Sequence, residues 1–201
     1  NLLKNENAYK CVCSEDELAN RRKKINSGEI NSKKICITCE KNKDVQSLES
    51  GFVIRIKIPT DGSEILDDVI QGRVEVKNNE IDDFVLVRKD NTPTYMLSVV
   101  VDDHDLGVNY IIRGDDHLNN YFRQKFIYKH MNWETPKYAH IPLIHGEDGN
   151  KLSKRHGAVN LTDLKNKGYL SNAIINNLIL LGWSPKNNED EIIQLQDIIS
   201  K

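Results

Sequence analysis

Apolar and polar residues alternate in the first half of the chain. FVIRIKI (52–58), GRVEVK (72–77) and DDFVLVRKD (82–90) have the alternation of half-buried strands, and the last of them precedes an Asn-Thr-Pro turn. Ahead of them, Ser14 stands three residues before Glu17, a capping-box pattern that predicts a helix of about two to three turns. We therefore expect a β-rich block preceded by one short helix.

The pattern changes after Pro93. YMLSVVVDDHDLG (95–107) has features of both a helix and a buried strand, and we predict a helix that ends at Gly107. NYIIRG (109–114) predicts a short buried strand, and YAHIPLIHG (138–146) predicts another. The segment between them predicts an amphipathic helix with these apolar residues on one side: Leu118, Phe122, Phe126 and Ile127. This order indicates a right-handed crossover unit of a parallel sheet.

The carboxyl-terminal part has helical spacing. NLTDLKNKG (160–168) and YLSNAIINNLILLG (169–182) predict two helices. LQDIISK (195–201) starts a further apolar-periodic pattern that breaks off, and the chain begins without an initiator methionine. We expect an internal piece of a longer protein.

Length and charge narrow the classes of function. With 201 residues the chain can bury a sizeable core. Its net charge of -2 excludes bulk attraction to phosphate, so any nucleic acid must be bound by a local surface. No apolar run approaches the roughly 20 residues of a membrane-spanning helix, and no signal peptide opens the chain. We expect a soluble intracellular protein that binds no membrane.

A basic loop follows the second strand of the crossover unit. HGEDGNKLSKRHGAV (145–159) places Lys151, Lys154 and Arg155 on a glycine-flanked segment. Such a segment can neutralise a polyphosphate while its backbone closes on the ligand. Its position favours this role, because open α/β sheets bind ligands at the carboxyl ends of their strands. The alternative is a solvated turn between two elements.

Four cysteines form two close pairs, Cys11-x-Cys13 and Cys36-x-x-Cys39. In an intracellular chain, two close pairs can supply four soft ligands to a tetrahedral zinc ion. The alternative is a set of four reduced, partly buried thiols, whereas a disulfide framework is disfavoured because reducing compartments keep thiols free. We predict a structural zinc site.

Several motifs in a fixed order indicate a family. RGDDHLNN (113–120), followed by HIPLIHGEDGNKLSKRHGA (140–158), resembles the catalytic half of bacterial-type glutamyl-tRNA synthetases, which are class I aminoacyl-tRNA synthetases. KLSKR stands at the place of the family's KMSKS-type motif. Residues 72–76, 82–107 and 168–185 also resemble this family, so the likeness extends over the chain from residue 8 onward.

The resemblance implies an α/β fold in three parts. Residues 1–90 would form an α+β connective insertion that binds the tRNA acceptor stem and carries a zinc-ribbon-like segment. Residues 91–150 would form the second half of a Rossmann-type catalytic domain with a parallel sheet. Residues 151–201 would hold the KLSKR loop and the start of a partial α-helical stem-contact domain. The HIGH-type motif of the first half is absent, so we expect this piece alone not to form glutamyl-adenylate.

The resemblance also implies a chemistry. The family activates L-glutamate with ATP and Mg²⁺, and the terminal ribose of the tRNA then takes the glutamyl group. The residues that would hold the triphosphate are in the basic loop: Lys151, Ser153, Lys154 and Arg155. Lys154 would meet the charge that develops on pyrophosphate. Ser153 would either bond the phosphates or cap the following turn.

For glutamate, the resemblance assigns three residues. Arg113 would hold a carboxylate with its planar fork of donors, and the alternative is a salt bridge to Asp115 or Asp116. Tyr95 would present its hydroxyl to the same substrate. The backbone of Val99 would line the pocket.

For the nucleotide, the resemblance assigns four residues. Asp116 and His117 would face ATP, with Asp116 accepting from ribose hydroxyls, although a lone aspartate in such a loop is otherwise a helix cap. Leu143 and Ile144 would offer backbone groups to adenine, and we expect their side chains to lie in the core.

Two other functions stay open. The paralogous enzyme that glutamylates a queuosine base on tRNA shares the zinc-bearing insertion and the catalytic half. A non-catalytic zinc-ribbon module would bind nucleic acid through the cysteine segment. The intact KLSKR loop favours the full synthetase with tRNA(Glu) as its partner. We expect it to be a monomer in a bacterial cytoplasm or an organelle.

Overall fold

The computed structural model describes residues 1–145, 149, 160–183 and 192–200. Its strands are β1 (Ala8–Cys11), β2 (Val53–Ile56), β3 (Ser63–Asp68), β4 (Gly72–Lys77), β5 (Val85–Val87), β6 (Tyr110–Gly114) and β7 (Lys137–Ile141). Its α-helices are α1 (Glu15–Asn26), α2 (Lys43–Ser47), α3 (Tyr95–Asp105), α4 (Leu118–Met131), α5 (Leu161–Asn166), α6 (Ser171–Leu180) and α7 (Leu195–Ser200). Short 3₁₀ turns occupy Cys39–Lys41, Asn78–Glu80 and Asp115–His117. The chain divides into two compact units, Asn1–His140 and Ile141–Lys201.

Three strands of the first unit form an antiparallel sheet in the order β1, β2, β5. Ala8 pairs with Ile56, and Ile54 pairs with Val87. Because side chains alternate between the two faces of a strand, one face carries the buried residues Ile56 and Leu86 into the core. The strands predicted over 52–58, 72–77 and 82–90 are confirmed as β2, β4 and β5.

The predicted crossover unit is present as β6, α4 and β7. β6 and β7 belong to one sheet, and the backbone N–H of Lys137, at the start of β7, donates to the carbonyl of Asn109, just before β6, at 3.0 Å. The starts of the two strands therefore lie side by side, so the strands run parallel. α4 packs its predicted apolar side into the core, where Phe122, Phe126 and Ile127 are buried.

The β3–β4 hairpin packs on α4 through a buried acid. The Glu64 carboxylate, on β3, accepts hydrogen bonds from Lys125 at 3.0 Å and from Lys129 at 2.9 Å. Burial raises the pKa of Glu64, but the two ammonium groups outweigh burial and hold it below its ordinary value. The hairpin is thereby attached to the helix that connects β6 and β7.

The predicted start of α1 and the predicted end of α3 are confirmed. α1 begins with the predicted capping box, since the N–H of Glu17 donates to Ser14 Oγ at 3.3 Å and the N–H of Ser14 donates to the Glu17 carboxylate at 2.8 Å. α1 buries none of its side chains. α3 ends just before Gly107, whose φ of 69° is the left-handed conformation that favours glycine after a helix.

The second strand of the crossover unit is shorter than predicted. β7 ends at Ile141, because Pro142 has no N–H to continue the ladder. Beyond it, Leu143 is half-buried and Ile144 is 45% exposed. The expectation of a core position is therefore wrong for Ile144.

The described part of the second unit is helical. Asn160 caps α5 by accepting from the N–H of Thr162 at 2.6 Å, and α6 lies within the second predicted helix. Within residues 1–145, 160–183 and 192–200, no helix combines the length and apolar character that a membrane crossing requires.

Candidate active site and metal centre

Arg113 is the last charged residue of β6, and its guanidinium is held by three hydrogen bonds. Nε donates to His140 Nε2 at 3.0 Å, Nη1 donates to Gln124 Oε1 at 3.0 Å, and Nη2 donates to the carbonyl of His117 at 3.1 Å. None of these partners is a carboxylate. The Tyr138 ring lies 5.1 Å from the guanidinium carbon. The partners orient the fork at the carboxyl end of the strand, and Arg113 itself is only half-buried.

The other residues expected to bind glutamate lie on α3 and the turn after β6. The ring of Tyr95 is half exposed and its centroid lies 6.3 Å from that of His117, whose carbonyl holds Arg113. Val99 follows one turn later on α3 and packs against the core. Tyr95, His117 and Arg113 therefore surround one corner of the sheet.

Asp103 is an acidic residue near Arg113 that the sequence did not predict. It lies two turns after Tyr95 on the same helix. Burial raises the pKa of Asp103, and the nearby positive charge of Arg113 offsets part of that rise. The spacing 95, 99, 103 marks one helix face and is the signal that could have identified Asp103.

The residues expected to bind the nucleotide are placed only in part. Asp116 is exposed in the 3₁₀ turn that follows β6, and Asn120 Nδ2 donates to His117 Nδ1 at 3.0 Å. Leu143 and Ile144 follow the end of β7. The KLSKR residues Lys151, Ser153, Lys154 and Arg155 lie outside the described residues.

A cavity of about 540 Å³ lies at the opposite end of the crossover unit. Asn109, Tyr110 and Lys137, at the starts of β6 and β7, line it together with His104 and Tyr128. Ligands of open parallel sheets bind at the carboxyl ends of the strands. The corner around Arg113 is therefore the candidate active site.

The four cysteines converge as predicted. Cys11 ends β1, Cys13 follows it, and Cys36 and Cys39 flank the next chain reversal. All four sulfurs lie within 4.8 Å of one another, and the Sγ of Cys13 is 3.6 Å from that of Cys36 and 3.5 Å from that of Cys39. Four sulfurs at about 2.3 Å from one zinc ion in a tetrahedron would be roughly 3.8 Å apart. The donor set and its spacing therefore fit a single zinc ion.

The pKa values of three of the four thiols are shifted, and not all in the same direction. Burial, together with hydrogen bonds to Cys39 and Cys36, raises the pKa of Cys13 to about 12. The hydrogen bond with Cys11 and burial raise the pKa of Cys36 to about 12, whereas the same hydrogen bond lowers the pKa of Cys11. A cation at the centre would favour the thiolate of every member.

Two side chains that the sequence did not predict fix the cysteine segment. Asp83 is 1% exposed, and its carboxylate accepts from the Tyr9 hydroxyl, from the N–H of Ile35 at 2.5 Å and from the N–H of Cys36 at 3.0 Å. On α2, Gln46 Nε2 donates to the carbonyl of Cys39 at 2.7 Å. Partners of this kind orient metal ligands. Asp83 lies 47 residues after Cys36, and Gln46 lies 7 residues after Cys39, and no spacing pattern marks either of them.

This fold and this site define a class of protein. A family model described as class I tRNA synthetases (E and Q), catalytic domain, matches residues 1–201. The chain belongs to this family, and the predicted class I synthetase catalytic-domain fold is confirmed.

Individual proteins to which the chain is similar are named glutamate–tRNA ligases. The chain is 48% identical over 198 residues to glutamate–tRNA ligase 1 of Ehrlichia canis and 46% identical over 198 residues to glutamate–tRNA ligase 2 of Paramagnetospirillum magneticum. Each match covers 98% of this chain and 41% of the relative, so the chain spans about two fifths of their length. The chain is also similar to the crystal structure of a glutamate-tRNA synthetase from Elizabethkingia anophelis, with a TM-score of 0.79 and 31% identity. The match covers all of this chain and 46% of the chain in that crystal structure.

Proposed function

We propose that the full-length protein ligates L-glutamate to tRNA(Glu) through glutamyl-adenylate, using ATP with Mg²⁺. In the first step, an α-carboxylate oxygen of glutamate attacks the α-phosphorus of ATP and pyrophosphate leaves. In the second step, a terminal ribose hydroxyl of the tRNA attacks the acyl carbon and AMP leaves. The observation that carries this proposal is the guanidinium of Arg113, oriented by His140, Gln124 and His117 at the carboxyl end of β6.

On the glutamate side, Arg113 binds a carboxylate of the substrate. Among the described residues, each of its three nitrogens gives one hydrogen bond to the protein, which leaves the second N–H of Nη1 and of Nη2 for a carboxylate. Tyr95 is exposed on the same corner and contributes its hydroxyl. Val99 lines the pocket through its backbone.

On the nucleotide side, Asp116 accepts from the ribose hydroxyls and His117 lies beside the nucleotide. The backbone of Leu143 and Ile144 faces adenine. Lys151, Ser153, Lys154 and Arg155 hold the triphosphate, with Lys154 at the leaving pyrophosphate. Positioning and charge neutralisation supply most of the rate of such a displacement.

We place the tRNA acceptor stem on the insertion of residues 1–90, ahead of the catalytic half at 91–150 and the stem-contact helices at 151–201. Support comes from α1, where Arg22, Lys23 and Lys24 are exposed together near the end of the helix. Such a local basic patch attracts phosphate in a chain that is acidic overall. We also propose a monomer in a bacterial cytoplasm or an organelle.

The cysteine cluster is proposed to hold one structural Zn²⁺. When bound, the ion crosslinks the end of β1 to the Cys36–Cys39 reversal, and four protein ligands leave no position for a reacting water. We expect Cys13→Ser to lower the zinc content of the purified protein from about one ion per chain towards zero, because one of four ligands is lost. Metal analysis and thermal unfolding measure this.

The matched control for Cys13→Ser is Val12→Ser. Val12 lies between two cysteines and is 43% exposed, so this substitution changes the same segment without removing a sulfur. Wild-type protein that carries no zinc and unfolds at the same temperature as Cys13→Ser would show that the thiols are only packed together.

ATP–pyrophosphate exchange by the full-length protein, in the presence of its tRNA, tests the main proposal. We expect exchange that depends on L-glutamate, and none with L-aspartate. We also expect the protein to charge an unmodified transcript of tRNA(Glu), which contains no queuosine. Exchange without charging of that transcript would favour the queuosine-modifying paralogue, and the absence of both would favour a non-catalytic nucleic-acid-binding module.

A further inference from the structure

The orientation of Arg113 depends on one ring nitrogen. Arg113 Nε donates to His140 Nε2 at 3.0 Å. Because the guanidinium is planar, the direction of the Nε–H bond helps to set the direction of the whole fork. His140 Nε2 can accept this bond only if it carries no proton.

The tautomer of His140 is set by Asp68. His140 is fully buried, and its Nδ1 lies 2.7 Å from Asp68 Oδ2. A carboxylate oxygen accepts hydrogen bonds, so the proton of the neutral imidazole belongs on Nδ1 and the lone pair on Nε2. A proton on both nitrogens would place two N–H groups against each other between His140 and Arg113.

Asp68 is itself fixed at the end of β3. Its Oδ1 accepts from the backbone N–H groups of Ile70 at 3.0 Å, Gln71 at 2.9 Å and His140 at 3.1 Å. Burial raises the pKa of Asp68, but these bonds and the His140 ring outweigh burial and lower it to about 2. Asp68 is therefore a carboxylate throughout the pH range in which proteins are normally studied.

The hairpin that carries Asp68 also follows the outer edge of β7. The N–H of Val69 donates to the carbonyl of Tyr138 at 3.0 Å, and Gln71 Nε2 donates to the carbonyl of His140 at 3.1 Å. These bonds fix the distance between the hairpin and the strand. The contact between Asp68 and His140 is thus part of a continuous interface and not an isolated pair.

We propose that Asp68 and His140 are positioning residues for the amino acid substrate: Asp68 selects the Nδ1-protonated tautomer of His140, and that tautomer orients the guanidinium of Arg113. This inference rests on the proposed function, in which Arg113 binds a glutamate carboxylate. It assigns a role in substrate binding to the β3–β4 hairpin, whose first strand ends at Asp68, more than forty residues before Arg113 in the sequence.

The first test is Asp68→Asn in the full-length protein. Three backbone N–H groups keep the amide oxygen at the position of Oδ1, so the amide NH₂ faces His140 Nδ1. The ring proton then moves to Nε2 and opposes the N–H of Arg113. We expect the KM for glutamate in the exchange assay to rise roughly 10-fold, the usual cost of an unpaired buried donor, while the KM for ATP stays unchanged. Asp67→Asn, at the exposed neighbouring position, is the control.

The second test separates the two partners of the imidazole. His140→Phe keeps a ring stacked near Tyr138, where the centroids are now 5.8 Å apart, but loses both hydrogen bonds. We expect a rise in the KM for glutamate of roughly 10- to 100-fold. His140→Gln can place an amide oxygen at the position of Nε2, so it should restore much of the affinity. The double variant Asp68→Asn, His140→Phe should be no worse than His140→Phe, because Asp68 acts through His140.

A readout independent of activity is the ¹⁵N NMR signature of His140, assigned by comparison with His140→Phe. We expect a protonated Nδ1 and an unprotonated Nε2 in the wild-type protein. A protonated Nε2 in the wild-type protein would overturn the inference. If the wild-type protein is active, an equal KM for glutamate in Asp68→Asn and Asp67→Asn would also overturn it. Additive losses in the double variant would also overturn it. Absence of glutamate-dependent exchange in the wild type contradicts the proposed function instead, and the two failures are therefore distinguishable.

Discussion

Replacing Lys154 by alanine in the full-length protein is expected to slow formation of glutamyl-adenylate by roughly 10²- to 10³-fold. The proposed place of its ammonium group is beside the leaving pyrophosphate, where negative charge grows in the transition state. Removal of one preorganised contact of this kind typically costs that much. Single-turnover adenylate formation measures the effect. The KM for glutamate should change little, because the proposed place of glutamate is the Arg113 side of the site.

Lys165→Ala is the matched control for Lys154→Ala. Lys165 lies on α5, is exposed, and belongs to the same carboxyl-terminal part of the chain. If Lys154→Ala reacts as fast as Lys165→Ala, the KLSKR segment is a solvated turn and another cation must neutralise pyrophosphate.

The second large effect is expected from Arg113→Ala, which should raise the KM for glutamate by roughly 100-fold. A substrate carboxylate would lose a bidentate, charge-assisted partner in a partly buried site. Arg113→Lys should also be strongly impaired, because an ammonium group keeps the charge but cannot donate to His140, Gln124 and a carboxylate from one plane. ATP–pyrophosphate exchange at varied glutamate concentrations measures both variants.

Arg73→Ala is the control for loss of an arginine from the same unit, since Arg73 is exposed on β4. Thermal unfolding of each variant separates loss of binding from loss of folding. A normal KM for glutamate in folded Arg113→Ala would show that Arg113 serves the packing of His140 and Gln124 and not the substrate.

Sequence patterns predicted those elements whose burial follows from apolar spacing. α4 is an example, because Phe122, Phe126 and Ile127, which the apolar spacing indicated, are all buried, and further residues of the helix are buried beside them. The capping box of α1 and the glycine that follows α3 were also predictable, since both are local backbone requirements.

β3 was not predicted, and the reason is its chemistry. Two residues of SEILDD that are buried, Glu64 and Asp68, are acidic, so the strand lacks the apolar alternation of its neighbours. Their partners, Lys125, Lys129 and His140, come 61 to 72 residues later, and only the fold brings them together. A pattern within a short window contains no information about such pairs.

The candidate site also combines residues that the sequence indicated with contacts that only the fold produces. Arg113, Tyr95 and His117 belong to a motif or stand near one, and the structure places them at one corner. Of the groups that orient Arg113, His117 and His140 stand in those motifs and Gln124 does not, but no motif indicates that their hydrogen bonds are made to Arg113. His140 lies at the carboxyl-terminal part of a strand beside Arg113, so its position in a parallel pair is the signal that could have identified it.

The absence of buried side chains on α1 has a consequence for hydrogen exchange. α1 is held at its amino-terminal end by a capping box and buries no side chain. It can therefore open without exposing the core. Its amide protons should therefore exchange with deuterium through local fraying, at rates that are insensitive to low concentrations of urea. Those of α4, which buries Phe122 and Phe126, should exchange only with larger openings of the unit. Substitutions along α1 can then change the surface charge of residues 15–26 while leaving the stability of the unit Asn1–His140 nearly unaltered.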